Sequence, residues 1–172
     1  MKNIIAATLT RIQSLAIVKF LALLGIVSFL PMFIHIQWLT GPIVNAVLII
    51  TVVMVGAREA LLIALVPSSV ALAFGLLPLP LAPMVPFIMM GNALLVWLFD
   101  LLCSKDYWLA IIVAAIVKSV WLFAAVELVV QGLVSKSIAA NLAAMMSWSQ
   151  LFSAIAGGVI AWAFLRFLKF KI

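Results

Sequence analysis

Polar side chains interrupt this chain at only a few points, and the apolar runs between them set out its elements. The first run, Ser14 to Phe33, is broken only by Lys19. It has about 20 residues, the length that crosses roughly 30 Å of hydrocarbon. Lys19 lies near its start, where a four-carbon stem lets the ammonium snorkel back to the headgroups. The second run, Gly41 to Val55, and the third, Ala60 to Gly75, are shorter, roughly 15 residues or about 22 Å at 1.5 Å per residue. The turn Gly56-Ala57-Arg58-Glu59 joins them. Thr40 ahead of Gly41-Pro42 reads as a helix start, because threonine caps free amides and proline is tolerated in a first turn. Prolines 78, 80, 83 and 86 make Leu76 to Pro86 an apolar, semi-rigid stretch expected to stay out of a helix. A fourth run spans about Met84 to Leu102, a fifth Tyr107 to about Val130, and a sixth Ser137 to near Phe167.

Composition turns these runs into membrane spans. Of 172 residues, 69% are hydrophobic and 8% charged, against about 25% charged in a soluble domain. The expected fold is one all-α integral membrane domain, residues 1–172, with six transmembrane helices. No cleaved leader is expected at the N-terminus. The net charge of +6 points to anionic headgroups of the lipid bilayer and not to nucleic acid. With six spans, Lys2, Arg11, Arg58, Lys105, Arg166, Lys169 and Lys171 fall on one face and only Lys136 on the other. The positive-inside rule then makes both termini cytoplasmic. The short second and third helices, fixed at one face by their common turn, would leave a depression at the other. That outward pocket would lie under the first loop, His35 to Thr40, and under the proline stretch.

Intramembrane polar residues are costly and usually face a bundle interior or cavity. In this orientation they gather in the outer half: Asn45, Asn92, Lys118, Asn141, Ser147, Trp148 and Gln150. Lys118 is the sharpest, ten residues from Trp108 and too deep to snorkel easily. It serves either as a cation for an anionic or carboxylate-bearing ligand or as a lysine bonded to backbone carbonyls or a neighbouring Asn. Trp121, at i+3, shares its face. Glu127, nine residues on, lies about half a helix circumference away and belongs nearer the interface. In the last helix, Asn141, Met145 and Trp148 form one stripe and Ser147, Gln150, Ala154 and Gly157 or Gly158 another. The small-residue stripe is assigned to helix packing, the first to the cavity. The candidate substrate-binding set is thus Trp38, Asn45, Asn92, Lys118, Trp121, Asn141, Trp148 and Gln150. Its amides and tryptophans suit a flat, ring-containing organic solute.

Enzyme chemistry finds little support. The single histidine and single cysteine make no transition-metal cluster, no serine has a plausible His and acid partner, and no Gly-rich phosphate cradle is present. No cofactor or metal is expected.

The layout resembles the substrate-binding S components of energy-coupling factor (ECF) transporters over the whole chain. The residues that carry the likeness are Gly41-Pro42-Ile43-Val44-Asn45, Pro67-Ser68-Ser69, the stretch Leu77-Pro78 to Pro86, and Gly91-Asn92. The chain departs from the family in one place: the Ala-x-x-x-Ala contact of the first helix is not present as such, and segment one offers only Ala16, Ala22 and Gly25. The resemblance implies capture of a vitamin-like micronutrient at the outer face of a prokaryotic plasma membrane. Its partners would be a membrane coupling subunit and two cytoplasmic ATPases. The rival reading is a membrane scaffold or assembly protein of the cell-shape type, which needs neither cavity nor Lys118.

Overall fold

A computed structural model of the chain describes residues 2–33, 37–75, 79–133, 146 and 148–170. These residues form seven α-helices and one 3-10 helix, without strands among them. Helix α1 spans Lys2–Phe33, α2 Gln37–Met54, α3 Ala57–Ala64, α4 Val66–Ala73, α5 Val85–Cys103, α6 Tyr107–Leu133 and α7 Trp148–Phe167. Among the described residues, three segments are long and apolar enough to cross a membrane: Ala82–Cys103, Tyr107–Leu128 and Trp148–Phe167, of 22, 22 and 20 residues.

The third apolar run is one helical segment broken in the middle. Pro67 has no N–H to donate to the carbonyl of Ile63, four residues back, so α3 stops at Ala64 and α4 restarts at Val66. Two expectations are corrected. Helix α2 starts at Gln37 and not at Gly41, and carries Pro42 inside it. The bond lost at Pro42 is the one to the carbonyl of Trp38, in the opening turn, where a helix end frays and the loss costs least. The proline stretch is also helical in part: Leu79–Met84 is a 3-10 helix with Pro83 inside. Its tighter winding uses i to i+3 bonds and tolerates short, proline-bearing pieces. Residues 76–78 of that stretch lie outside the described residues, as do His35, Lys136, Ser137, Asn141, Met145, Ser147 and Lys171.

Hydroxyls inside the apolar helices bond within their own turn. Thr51 Oγ1 donates to the Val47 carbonyl at 2.7 Å and Ser119 Oγ to that of Ala115 at 2.7 Å, the i−4 arrangement that lets such residues sit in lipid.

Helix α2 packs chiefly against α7, and α5 against α6. The backbone of α2 at Pro42 and Ala46 lies close to Gly157 of α7, and Asn45 bonds Ser153. Helix α6 runs the opposite way to α7: Tyr107 donates its hydroxyl to the Gly158 carbonyl at 2.8 Å, Trp108 meets Trp162, and Lys118 reaches the level of Asn45. Helices α5 and α6 are antiparallel too, with Phe99 edge-on to Tyr107 at 5.4 Å and Asn92 beside Lys118. One end of the bundle therefore holds the α2–α3 turn, the α5–α6 turn and the end of α7. Arg58, Lys105, Arg166 and Lys169 are all exposed there.

That end of α7 closes on a non-glycine left-handed residue, Lys169, at φ 60°. Phe170 N–H bonds the Leu165 carbonyl and Lys169 N–H that of Arg166, both at 2.9 Å, a Schellman closure with Phe170 packed back on the core. Lysine pays about 1 kcal/mol or more for that conformation. Lys169→Gly is expected to stabilise this end by about 1 kcal/mol, read as slower exchange of the Phe170 amide. Unchanged or faster exchange would contradict it.

Candidate functional site

The buried polar residues of three helices meet at one lysine. Lys118 of α6 is 2% exposed. Its ammonium donates to Asn45 Oδ1 of α2 at 2.6 Å and to Asn92 Oδ1 of α5 at 2.8 Å. The two amides extend the network outward. Asn45 Nδ2 donates to Ser153 Oγ of α7 at 3.0 Å, and Asn92 Nδ2 to the Ala64 carbonyl at the end of α3 at 3.4 Å. Five helices are thus tied through one cation. Its partners are neutral amide oxygens and not carboxylates, so those contacts supply no counter-charge for a protonated amine.

Apolar clusters bracket this node. Toward the basic end lies the main core, including Leu95, Val96, Phe99, Ala114 and Ala115. On the other side is a smaller cluster of Met84, Leu122, Ala125, Val126 and Met146, with Phe87, Ile88 and Trp121 packed against it. Leu122 is one turn beyond Lys118, and Met84 ends the 3-10 helix, so the proline stretch contributes directly to the smaller cluster. Trp121 donates its indole N–H to the Phe87 carbonyl at 2.9 Å, with the two rings 6.3 Å apart. It ties α6 to the first turn of α5 beside the node.

Of the eight sequence candidates, Asn45, Asn92 and Lys118 are brought together, and Trp121 stands close by. Trp148 is 72% exposed, on the outside of α7. Gln150 is half-buried, and its amide lies 3.9 Å from Met146 Sδ. The side chain of Trp38 and all of Asn141 lie outside the described residues. Ser153 completes the network and escaped the sequence reading. It lies four residues before Gly157, hence on the small-residue face of α7, and that spacing was the one signal available.

The fold and the node define an all-helical protein whose long apolar helices mark it as a membrane protein, with a buried cation held by amides at its centre. No family model, no curated protein and no solved structure matches the chain.

Proposed function

We propose that the chain is the solute-capture subunit of an ECF-type uptake transporter. It would cross the membrane six times with both ends in the cytoplasm and bind a small organic, vitamin-like solute from the outer side. The observation that carries the reading is Lys118, buried in apolar surroundings with only amide oxygens as partners among the described residues. An unpaired interior charge costs several kcal/mol, and residues of this kind within a membrane mark solute or ion pathways. A carboxylate-bearing solute supplies the missing counter-charge by displacing an amide oxygen. The smaller cluster is the lid in this reading: Met84 and Met146 are flexible side chains suited to repacking around a guest. Energy for release into the cell would come from a membrane coupling subunit with two cytoplasmic ATPases.

Native mass spectrometry of the protein purified gently from its own membranes tests this. A reproducible small-molecule adduct, lost in Lys118→Met, is expected. Trp148→Ala should leave that adduct's affinity within about twofold, the usual range for an exposed position; a loss as large as that of Lys118→Met would place the solute elsewhere.

The scaffold reading draws on one observation, that every member of the network already has a partner inside the bundle, as a structural pin requires. Co-purification of cell-wall or division proteins, with neither adduct nor ATPases, would replace the capture reading with it.

A further inference from the structure

At the basic end of the bundle, aromatic rings and one guanidinium form a continuous ladder. Tyr107 and Trp108 open α6, their rings edge to face at 5.4 Å. Trp108 meets Trp162 of α7 at 5.7 Å, and the Arg166 guanidinium carbon lies 5.3 Å from the centre of the Trp162 ring. Arg166 is nonetheless exposed, one turn beyond Trp162 and in the last turn of its helix. Trp108 is exposed as well. The nearest acid in sequence, Asp106, is committed to helix α6: its Oδ1 accepts the Leu109 amide at 2.7 Å. Lys105 is exposed one turn before Trp108, and Lys169 is exposed just past Arg166.

Each part has a physical consequence. The cation–π contact with Trp162 favours one placement of the Arg166 guanidinium, so less side-chain freedom is lost when it binds. A guanidinium placed there presents paired N–H donors that match two oxygens of a phosphate. Tryptophans at a helix end settle at the headgroup level of a bilayer, which places the donors at the depth of lipid phosphates. Lys105 and Lys169 flank the site with mobile positive charge, and the backbone at Lys169 is held in a left-handed turn where glycine would be the unstrained choice.

We propose that Trp108, Trp162 and Arg166 form a binding site for the phosphodiester headgroup of one anionic lipid, with Lys105 and Lys169 completing its charge. The occupant is a lipid and not free phosphate, because the exposed Trp108 indole is apolar and needs an acyl chain beside it. The site is independent of Lys118, which lies deeper in the bundle, two or more helical turns from Trp108.

Native mass spectrometry of the full chain in micelles, titrated with phosphatidylglycerol and separately with phosphatidylcholine, tests the site. One phosphatidylglycerol is expected to be retained in preference to phosphatidylcholine. Arg166→Gln should weaken that adduct by about fivefold or more, the effect of removing one basic residue from an anionic surface. Arg166→Lys should weaken it in part, since the charge stays and the stacked, paired donors go. Arg58→Gln serves as the control: Arg58 is exposed at the same end but on α3, outside the ladder, and the adduct should persist. If Arg58→Gln weakened it as much as Arg166→Gln, attraction would be diffuse and the site would be refuted. Competition by millimolar inorganic phosphate as effective as that by phosphatidylglycerol would refute the lipid as occupant. Should Arg166→Gln fail to fold, Trp162→Phe carries the same expectation of weaker retention, and full retention there would overturn the proposal.

Discussion

Lys118→Met is expected to leave the bundle folded, with a stability change within about 2 kcal/mol, while weakening capture of an anionic solute about 10- to 100-fold. The two effects separate because of what the ammonium gains and loses in the interior. Desolvating it costs several kcal/mol, and its hydrogen bonds to Asn45 and Asn92 return about 1.5–3 kcal/mol each. Methionine fills nearly the same volume and abolishes the desolvation cost. The two amide oxygens then lose a donor, at about 1–3 kcal/mol each, but both Asn side chains keep their other bonds, to Ser153 and the Ala64 carbonyl. Losses and gains nearly cancel. No such cancellation exists for a bound carboxylate, which loses a charged donor worth about 1.5–3 kcal/mol, and that is the predicted range of weaker binding. Lys118→Ala adds a cavity and should cost about 2–4 kcal/mol more than the methionine variant. Thermal unfolding in micelles and the native adduct measure the two quantities separately. If the methionine variant unfolded as readily as the alanine variant and still bound solute, Lys118 would be a structural pin.

Gly157→Ala is expected to destabilise the protein by about 2–3 kcal/mol, at the upper part of the range for overpacking a core. A Cβ there would lie 2.6 Å from Asn45 Cβ, 2.8 Å from the Pro42 carbonyl oxygen and 2.9 Å from the Ala46 nitrogen. Two of those atoms belong to the backbone of α2, which cannot rotate aside, so α2 and α7 must separate along their main contact. Separation also draws Asn45 away from Lys118 and Ser153. The neighbouring Gly158 is a useful contrast. The nearest neighbours of a Cβ at that position are side-chain atoms of Ile111, at 2.7 to 3.0 Å. A β-branched residue has one favoured rotamer in a helix, so room comes from a small shift of that side chain and not of a backbone. Gly158→Ala should therefore cost about 1 kcal/mol. For a chain of this size the difference corresponds to roughly 2–8 °C between the two midpoints. Equal midpoints would show that the α2–α7 backbone approach is softer than its distances imply.

Much of the architecture was legible because lipid imposes simple rules. Runs near 20 apolar residues, bounded by Lys105-Asp106 or by Arg166, identify spans by length alone. The ends of α5 and the start of α6 fall within a residue or so of the expected places, since Ser104, Lys105 and Asp106 leave no alternative turn. The boundaries that moved are those set by proline. Pro42 was read as a start and Leu76 to Pro86 as non-helical, yet Pro42 and, within the stretch, residues 79–86 lie in a helix of some kind. A proline removes one donor, and whether the chain stops there depends on what packs against the freed carbonyl.

The sequence by itself determined that this chain is helical, apolar beyond any soluble domain, basic at its turns and tail, and marked by a few polar residues at membrane depth. Those features follow from composition and period, which need no partner to be read. It did not determine which polar residues meet. Asn45 and Lys118 are 73 residues apart and Asn92 and Lys118 are 26 apart, and only the antiparallel run of α6 against its neighbours brings them to one level. The same geometry brought in Ser153 and turned Trp148 outward. Helical period states which residues share a face, whereas the direction of that face is decided by the close contacts of whole helices, here by Gly157 against the backbone of α2.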